Sequence, residues 1–203
     1  KTVYLNLIAN PSCELPLNNN NIQFWNEIIG NNWTIRSNDP VPFDGLNYFY
    51  AGAGSFAELG QYVDVSLYAD EIDNQNINLL FSGRTRSWNQ NPPDEAKVIL
   101  EFWNFEKTEK LDTIDLGYHS TFYWLLVSQI FTPPANTRWV NIRLISLRHN
   151  GSNNDGYFDD LFLGKDSSLV SPELVLPLNN SSNLPINPNL VWQAVENATS
   201  YTL

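Results

Sequence analysis

Apolar and polar residues alternate with a period of two through several short stretches of this chain, and that alternation constrains its fold more than any other feature. In residues 61–67, Val63, Val65 and Leu67 point one way and Tyr62, Asp64 and Ser66 the other. In residues 98–105, Val98, Leu100 and Phe102 share a face, while Glu101 and Trp103 share the opposite one. In residues 139–148, Val140, Ile142 and Leu144 alternate with Asn141 and Arg143. Successive side chains of a strand leave it on opposite faces, so each stretch reads as a half-buried strand. Runs such as Asn18-Asn19-Asn20-Asn21, with 12 Pro and 10 Gly, cut the chain into short segments. Long helical periodicity is missing, and only residues 22–29 suit a short helix. The expectation is an all-β chain, an antiparallel β-sandwich or jelly roll. Its two sheets would bury their inner faces at roughly 25 cal/mol per Å² of apolar area.

Charge narrows the partners. Asp and Glu number 22 against 11 Lys and Arg, a net charge of -11. Such a chain repels phosphate backbones and anionic lipid, which argues against nucleic-acid binding and membrane insertion. No apolar run approaches the roughly 18 residues of a spanning helix. A hydrophobic share of 42% with 13% aromatic residues is too rich for a disordered chain. The single cysteine, Cys13, allows neither an intrachain disulfide nor a cysteine zinc cluster. Methionine is absent and the N-terminus carries no signal pattern, so the chain is expected to be a fragment or processed product of something longer.

A boundary falls near residues 164–171, where Lys165-Asp166-Ser167-Ser168 is polar and Pro172 follows. It divides the chain into a domain over residues 1–166 and a linker with a short tail over 167–203. Pro172-Glu173-Leu174, Leu190-Val191-Trp192 and Ala198-Thr199-Ser200-Tyr201 resemble the first strands of a fibronectin type III domain. That resemblance implies a truncated module of a multidomain polypeptide, with neighbouring domains of the same chain as partners.

Two acidic segments bracket the first domain: Asn6-Leu7-Ile8-Ala9-Asn10-Pro11-Ser12-Cys13-Glu14, and Asp155-Gly156-Tyr157-Phe158-Asp159-Asp160-Leu161-Phe162-Leu163. First and last strands of a sandwich commonly lie side by side, which would bring Glu14 near Asp159 and Asp160. Carboxylates that meet there repel one another unless a cation joins them, and hard oxygen ligands suit Ca²⁺. Simple alternation places Asp159 on the face of Leu161 and Leu163, and neither segment offers it a Lys or Arg.

The same two segments resemble the galactose-binding-like jelly-roll superfamily, and within it the carbohydrate-binding modules that accompany xylanases and glucanases. Trp33-Thr34-Ile35, Asp44-Gly45-Leu46-Asn47-Tyr48-Phe49 and residues 58–66 fit as well, so the likeness covers about residues 5–164. It implies a structural calcium held by Glu14, the carbonyl of about Asn47, and Asp159, with Asp160 as runner-up. Cys13 and Ser12 depart from the family's usual aromatic and Gly before the Glu. It also implies glycan binding, on a sheet face or in the loops at one end. Sugars are held by aromatic faces and oriented polar groups. The outward set of the middle strands is Ser82, Arg84, Arg86, Glu101, Trp103 and Arg143, so the expected platform is Trp103 with Arg84, Arg86, Glu101 and Arg143. The same residues also suit plain cross-strand ion pairs, with Trp103 packed under a loop. Trp25, Trp88, Tyr123 and Trp124 are second candidates, and Trp33 is expected in the core.

An enzyme fits poorly. His119 and His149 have no spaced partner motif, and no nucleophile-elbow pattern accompanies any Ser. Asp159 and Asp160 are adjacent, a poor arrangement for a glycosidase pair. The resemblance therefore implies a noncatalytic carbohydrate-binding module of a secreted, extracellular or cell-surface protein, with a structural calcium. The alternative is a structural or adhesive spacer that contacts protein and binds no glycan.

Overall fold

In the computed structural model the chain divides into two units, Lys1–Asp166 and Ser167–Leu203. The structure describes residues 5–166, 174–177, 182, 185, 187 and 189–192. The first unit is an antiparallel β-sandwich. Its ten strands are β1 (Asn26–Ile29), β2 (Thr34–Arg36), β3 (Tyr48–Tyr50), β4 (Phe56–Asp64), β5 (Leu79–Ser87), β6 (Glu95–Trp103), β7 (Lys110–His119), β8 (Leu125–Phe131), β9 (Trp139–Leu147) and β10 (Gly156–Lys165). Sheet one has the order β1-β4-β9-β6-β7 and sheet two the order β2-β3-β10-β5-β8.

The alternation sets the layers. Strand β5 buries every second residue, so Leu79 and Phe81 face inward while Ser82, Arg84 and Arg86 face out. Val98, Leu100 and Phe102 of β6 meet Val140, Ile142 and Leu144 of β9 in the same core, all nearly without exposure. Trp33 is buried there, against Phe158. Each such aliphatic or aromatic side chain contributes about 1.5–3 kcal/mol by leaving water.

Two local expectations fail. Residues 22–29 form no helix: Phe24 has φ 70, which ends any helical run, and the chain continues as β1 on the edge of β4. The strand expected over residues 61–67 stops at Asp64, whose Oδ1 accepts the Ser66 N–H at 2.8 Å. That side-chain bond diverts the backbone into a 3-10 turn (Ser66–Tyr68) and a short helix, α1 (Ala69–Asp73).

The N-terminal segment runs beside β10. Leu7 N–H donates to Leu163 O at 2.8 Å and Leu161 N–H to Pro11 O at 3.2 Å. The Asn6 side chain bridges the same strand, donating to Leu161 O and accepting from Leu163 N–H. Gln61 ties in a third segment through bonds to both the N–H and the carbonyl of Ala9 and to Phe24 O.

Strand β10 carries a bulge between Asp159 and Phe162, with Asp160 at φ 50. The extra residue shifts the alternation. Tyr157, Asp159 and Phe162 pair with Arg86, Arg84 and Ser82 and so share the outward face of sheet two. Leu161 and Leu163 turn into the core. Asp159 therefore does not share the face of Leu161 and Leu163, contrary to simple alternation.

In the second unit, β11 (Leu174–Leu176) pairs antiparallel with β12 (Val191–Trp192). The third expected strand, around residues 198–201, lies outside the described residues.

Candidate functional site

The outer face of sheet one gathers charge and aromatic rings. Across it, Tyr62 of β4 lies opposite Asn141 of β9, which lies opposite Glu101 of β6. In the next row Trp139 lies opposite Trp103, and Trp103 opposite Lys110. Gly60 stands between Glu58 and Tyr62 on this face. A Cβ there would come within 2.6 Å of Ile28 Cδ1 of β1, so a larger residue would make the Ile28 side chain shift.

Arg143 is the hub. Its Nε and Nη2 donate to the two oxygens of Glu58 at 2.5 and 2.8 Å, the two-pronged arrangement that suits guanidinium and carboxylate. Its Nη1 donates to Glu101 Oε1 at 3.0 Å. Glu101 further accepts from Lys110 Nζ at 3.2 Å, Asn141 Nδ2 at 3.1 Å and Trp103 Nε1 at 3.3 Å. Glu58 is only 1% exposed and Glu101 5%. Burial pushes the Glu101 carboxyl up, but the bonds from Asn141 and Lys110 and the charge of Arg143 outweigh it and hold the group below the usual range. The Glu58 carboxylate raises Arg143 in turn.

Rings surround this network. Tyr62 and Trp103 meet edge to face with centroids 6.1 Å apart, and Tyr62 is 37% exposed. Trp139 donates from Nε1 to Phe105 O at 3.0 Å. Lys107 Nζ lies 3.7 Å from the Trp139 ring centroid and 4.8 Å from that of Tyr62. The arrangement offers apolar ring surfaces beside fixed carboxylate, amide and guanidinium groups, which is what a polyhydroxylated ligand requires.

Trp103, Glu101 and Arg143 are thus brought together. Arg84 and Arg86 are not: both project outward, but from β5 in sheet two. Alternation tells outward from inward and does not tell which sheet a strand joins, so the expected grouping of five residues is corrected to three. Arg84 instead stacks on Phe43 at 4.0 Å and lies 3.7 Å from Asp160. Among the loop aromatics, Trp25 is buried against Phe49, and Trp124 donates to Val41 O. Trp88 and Tyr123 are exposed. His149 pairs with Glu95 at 2.7 Å and His119 contacts Leu116 O.

The acidic groups of the two bracketing segments converge on residues 43–47. Asp159 is fully buried: its Oδ2 accepts N–H bonds from Phe43 (2.7 Å) and Asp44 (3.1 Å), and its Oδ1 from Asp160 (2.8 Å). Glu14 Oε1 accepts from Leu46 (2.9 Å) and Asn47 (2.8 Å). Asn47 therefore turns its N–H toward Glu14, where the family resemblance implies its carbonyl. Gly45 has φ 62, and a Cβ there would collide with the Glu14 carboxyl. Burial pushes Asp159 up to about 7 against the pull of its N–H donors, with the charge of Asp44 adding to the rise. Burial, then the charges of Asp159 and Glu14, push the Cys13 thiol up. These oxygens have the chemistry of a calcium site, and Glu14 Oε1 and both oxygens of Asp159 accept N–H bonds. Among the described residues no group of three acids, His or Cys is placed to hold a metal ion.

Sequence reasoning missed Glu58, Asn141, Tyr62, Trp139, Lys107 and Lys110 as site residues. The period-two pattern that placed Glu101 and Trp103 outward also carries Asn141 outward beside Arg143. Which strands lie adjacent was the missing information.

No family model matches the sequence, and no curated protein does. Solved structures do share the fold. The enzymatically active domain of tailspike protein 4 from bacteriophage CBA120 superposes with a TM-score of 0.58 at 14% identity over 79% of this chain, which spans 21% of the tailspike chain. The CBM22-1 xylan-binding domain of Paenibacillus barcinonensis Xyn10C gives 0.50 at 9% identity, covering 81% of this chain and 97% of that one. TmCBM61, solved in complex with β-1,4-galactotriose, gives 0.50 at 15% identity, covering 80% and 99%. At these identities the likeness establishes architecture: the described strands of the first unit form the jelly roll that carbohydrate-binding modules have.

Proposed function

We propose that the first unit is a noncatalytic glycan-binding module that takes its ligand on the outer face of sheet one. One observation carries this: two carboxylates, Glu58 and Glu101, are desolvated on an outward sheet face beside the exposed Tyr62 and the half-buried Trp103 and Trp139. Burying charge costs free energy, and a merely structural surface would leave such groups in water. Here Arg143, Lys110 and Asn141 take up the carboxylate oxygens and hold the network rigid, so the part-exposed Arg143 and Lys110 side chains are the groups that meet hydroxyls, while Tyr62, Trp103 and Trp139 offer ring surface to pyranose C–H bonds. The xylan-binding and galactotriose-bound neighbours support the direction of the reading.

The test is affinity electrophoresis in gels holding xylan, mixed-linkage β-glucan or galactan. Wild type should be retarded on at least one. Trp103→Ala should lose affinity about tenfold or more, roughly 1.4 kcal/mol, and Trp88→Ala should behave as wild type. Migration of Trp103→Ala level with wild type would overturn the site, and no retardation on any glycan would overturn the function.

The adhesive-spacer reading has one observation of its own. Edge strand β8 leaves Leu126 50% and Ile130 46% exposed, beside Tyr123, a surface that suits protein contact. Self-association without glycan affinity would favour it. Secretion and neighbouring domains belong to the proposal too. So does the structural calcium at Glu14, Asn47, Asp159 and Asp160, where the ion would compete with the N–H bonds that Glu14 Oε1 and Asp159 accept.

A further inference from the structure

Beyond the turn that joins β6 to β7 lies a cavity of about 380 Å³, lined by Asn104, Phe105, Glu106, Glu109, Asn136 and Arg138 among others. We infer that this cavity is a second subsite for a neutral sugar unit of the glycan bound on sheet one, an inference that rests on the function proposed above. Its size lies within the roughly 300–1,000 Å³ of small-ligand clefts.

Three features define what it takes. Phe105 is 66% exposed, an aromatic wall with no covering side chain, and such a wall stacks on the C–H face of a sugar. The carboxylates of Glu106 and Glu109 have no hydrogen-bond or ion-pair partner among the described residues, so their oxygens are free to accept hydroxyl groups. The one cation, Arg138, is already committed. It donates from Nη2 to Asp73 Oδ2 at 2.6 Å and from Nη1 to Asp73 Oδ1 at 3.0 Å, and Asn136 N–H donates to the same Asp73 Oδ1 at 2.8 Å. That clamp fixes one side of the cavity and removes the charge that an acidic sugar would need. Two free carboxylates then repel a uronate, which leaves the neutral class.

The turn is a wall of both sites. Asn104 Oδ1 holds its shape by accepting N–H bonds from Thr108 and Glu109, at 3.0 and 3.3 Å. On one side of it Lys107 lies on the rings of Trp139 and Tyr62, and Phe105 O receives the Trp139 indole. On the other side Phe105, Glu106 and Glu109 line the cavity. A glycan chain long enough to pass the turn meets a second set of oriented groups, and the linkage between units turns that second contact into an effectively intramolecular one.

The experiment is calorimetric titration of the whole chain with xylo- and galacto-oligosaccharides from dimer to hexamer. Wild-type affinity should rise with length by about tenfold or more. Phe105→Ala and Glu109→Gln should bind dimers as wild type does and lose that rise, and Trp103→Ala should weaken binding at every length. Affinity flat with length in wild type, or a rise that survives both cavity variants, overturns the second subsite and leaves the sheet-face site standing. Failure of wild type to bind any oligosaccharide overturns the function itself.

Discussion

The two outer faces of the sandwich both bury carboxylates, and they neutralise them differently. On sheet one the counter-charge comes from side chains: Arg143 and Lys110 reach Glu58 and Glu101 from neighbouring strands. On sheet two it comes from the backbone: the amides of Phe43, Asp44 and Asp160 close on Asp159. A side-chain network needs no covering segment, so it leaves its face open to a ligand. An amide cradle requires a loop to fold over the acid, so it closes its face and joins chain segments. The same electrostatic problem thus yields, on one side, the face proposed to bind glycan and, on the other, a fastening.

The largest expected effect tests the open face. Arg143→Ala leaves Glu58 and Glu101 buried without their shared guanidinium. Removing one partner of a buried pair costs about 3–5 kcal/mol, and a value near the low end is expected because the Arg143 side chain is 26% exposed. Chemical denaturation measures it, and a loss below about 1 kcal/mol would show that the network is solvated after all.

Next comes the fastening. Asp159→Ala leaves three amides unpaired, for an expected loss of about 1–3 kcal/mol, with no change in glycan affinity. Chelator should lower the wild-type melting temperature and Ca²⁺ restore it, as the proposed calcium requires; an unmoved melting curve would leave the amides as the partners of these carboxylates.

A smaller effect follows pH. Glu101 is held below its ordinary range, so the folded state binds its proton less tightly than the unfolded chain does. Its contribution to stability is present above the unfolded value of about 4.3 and is lost as pH falls through the lower folded value. Glu101→Gln should flatten that part of the stability profile. The smallest effect is expected for Arg86→Ala, which projects from sheet two away from the platform: within about 0.5 kcal/mol and without effect on glycan binding. A loss of binding there would move the site to the opposite face.

Much of this was legible in the sequence. The alternation at Val98, Leu100 and Phe102 against Glu101 and Trp103 reported both the strand and its faces, because side-chain direction in a strand is a local property. Pairing is not local. Nothing near Arg84 says that its strand joins β10 and β8 while that of Glu101 joins β9 and β7, so alternation alone puts residues of two sheets into one set. The partners of Asp159 were invisible for another reason: amide groups have no letter in a sequence. An acid with no neighbouring Lys or Arg suggests a metal, and the amides of the folded-back loop are a second kind of partner that no letter announces. Helix α1 escaped because a single turn sets up no periodicity.

The bulge at Asp160 has a mechanical meaning. Before it, the odd-numbered residues Tyr157 and Asp159 look away from the core; after it, the odd-numbered Leu161 and Leu163 look inward. A one-place slip turns any half-buried strand inside out, and a strand that changes parity partway resists the two-place slip as well, since residues carried past the bulge would change faces. The surplus residue therefore works as a locating pin, keyed into the last strand of the sandwich, which the opening segment of the chain then grips.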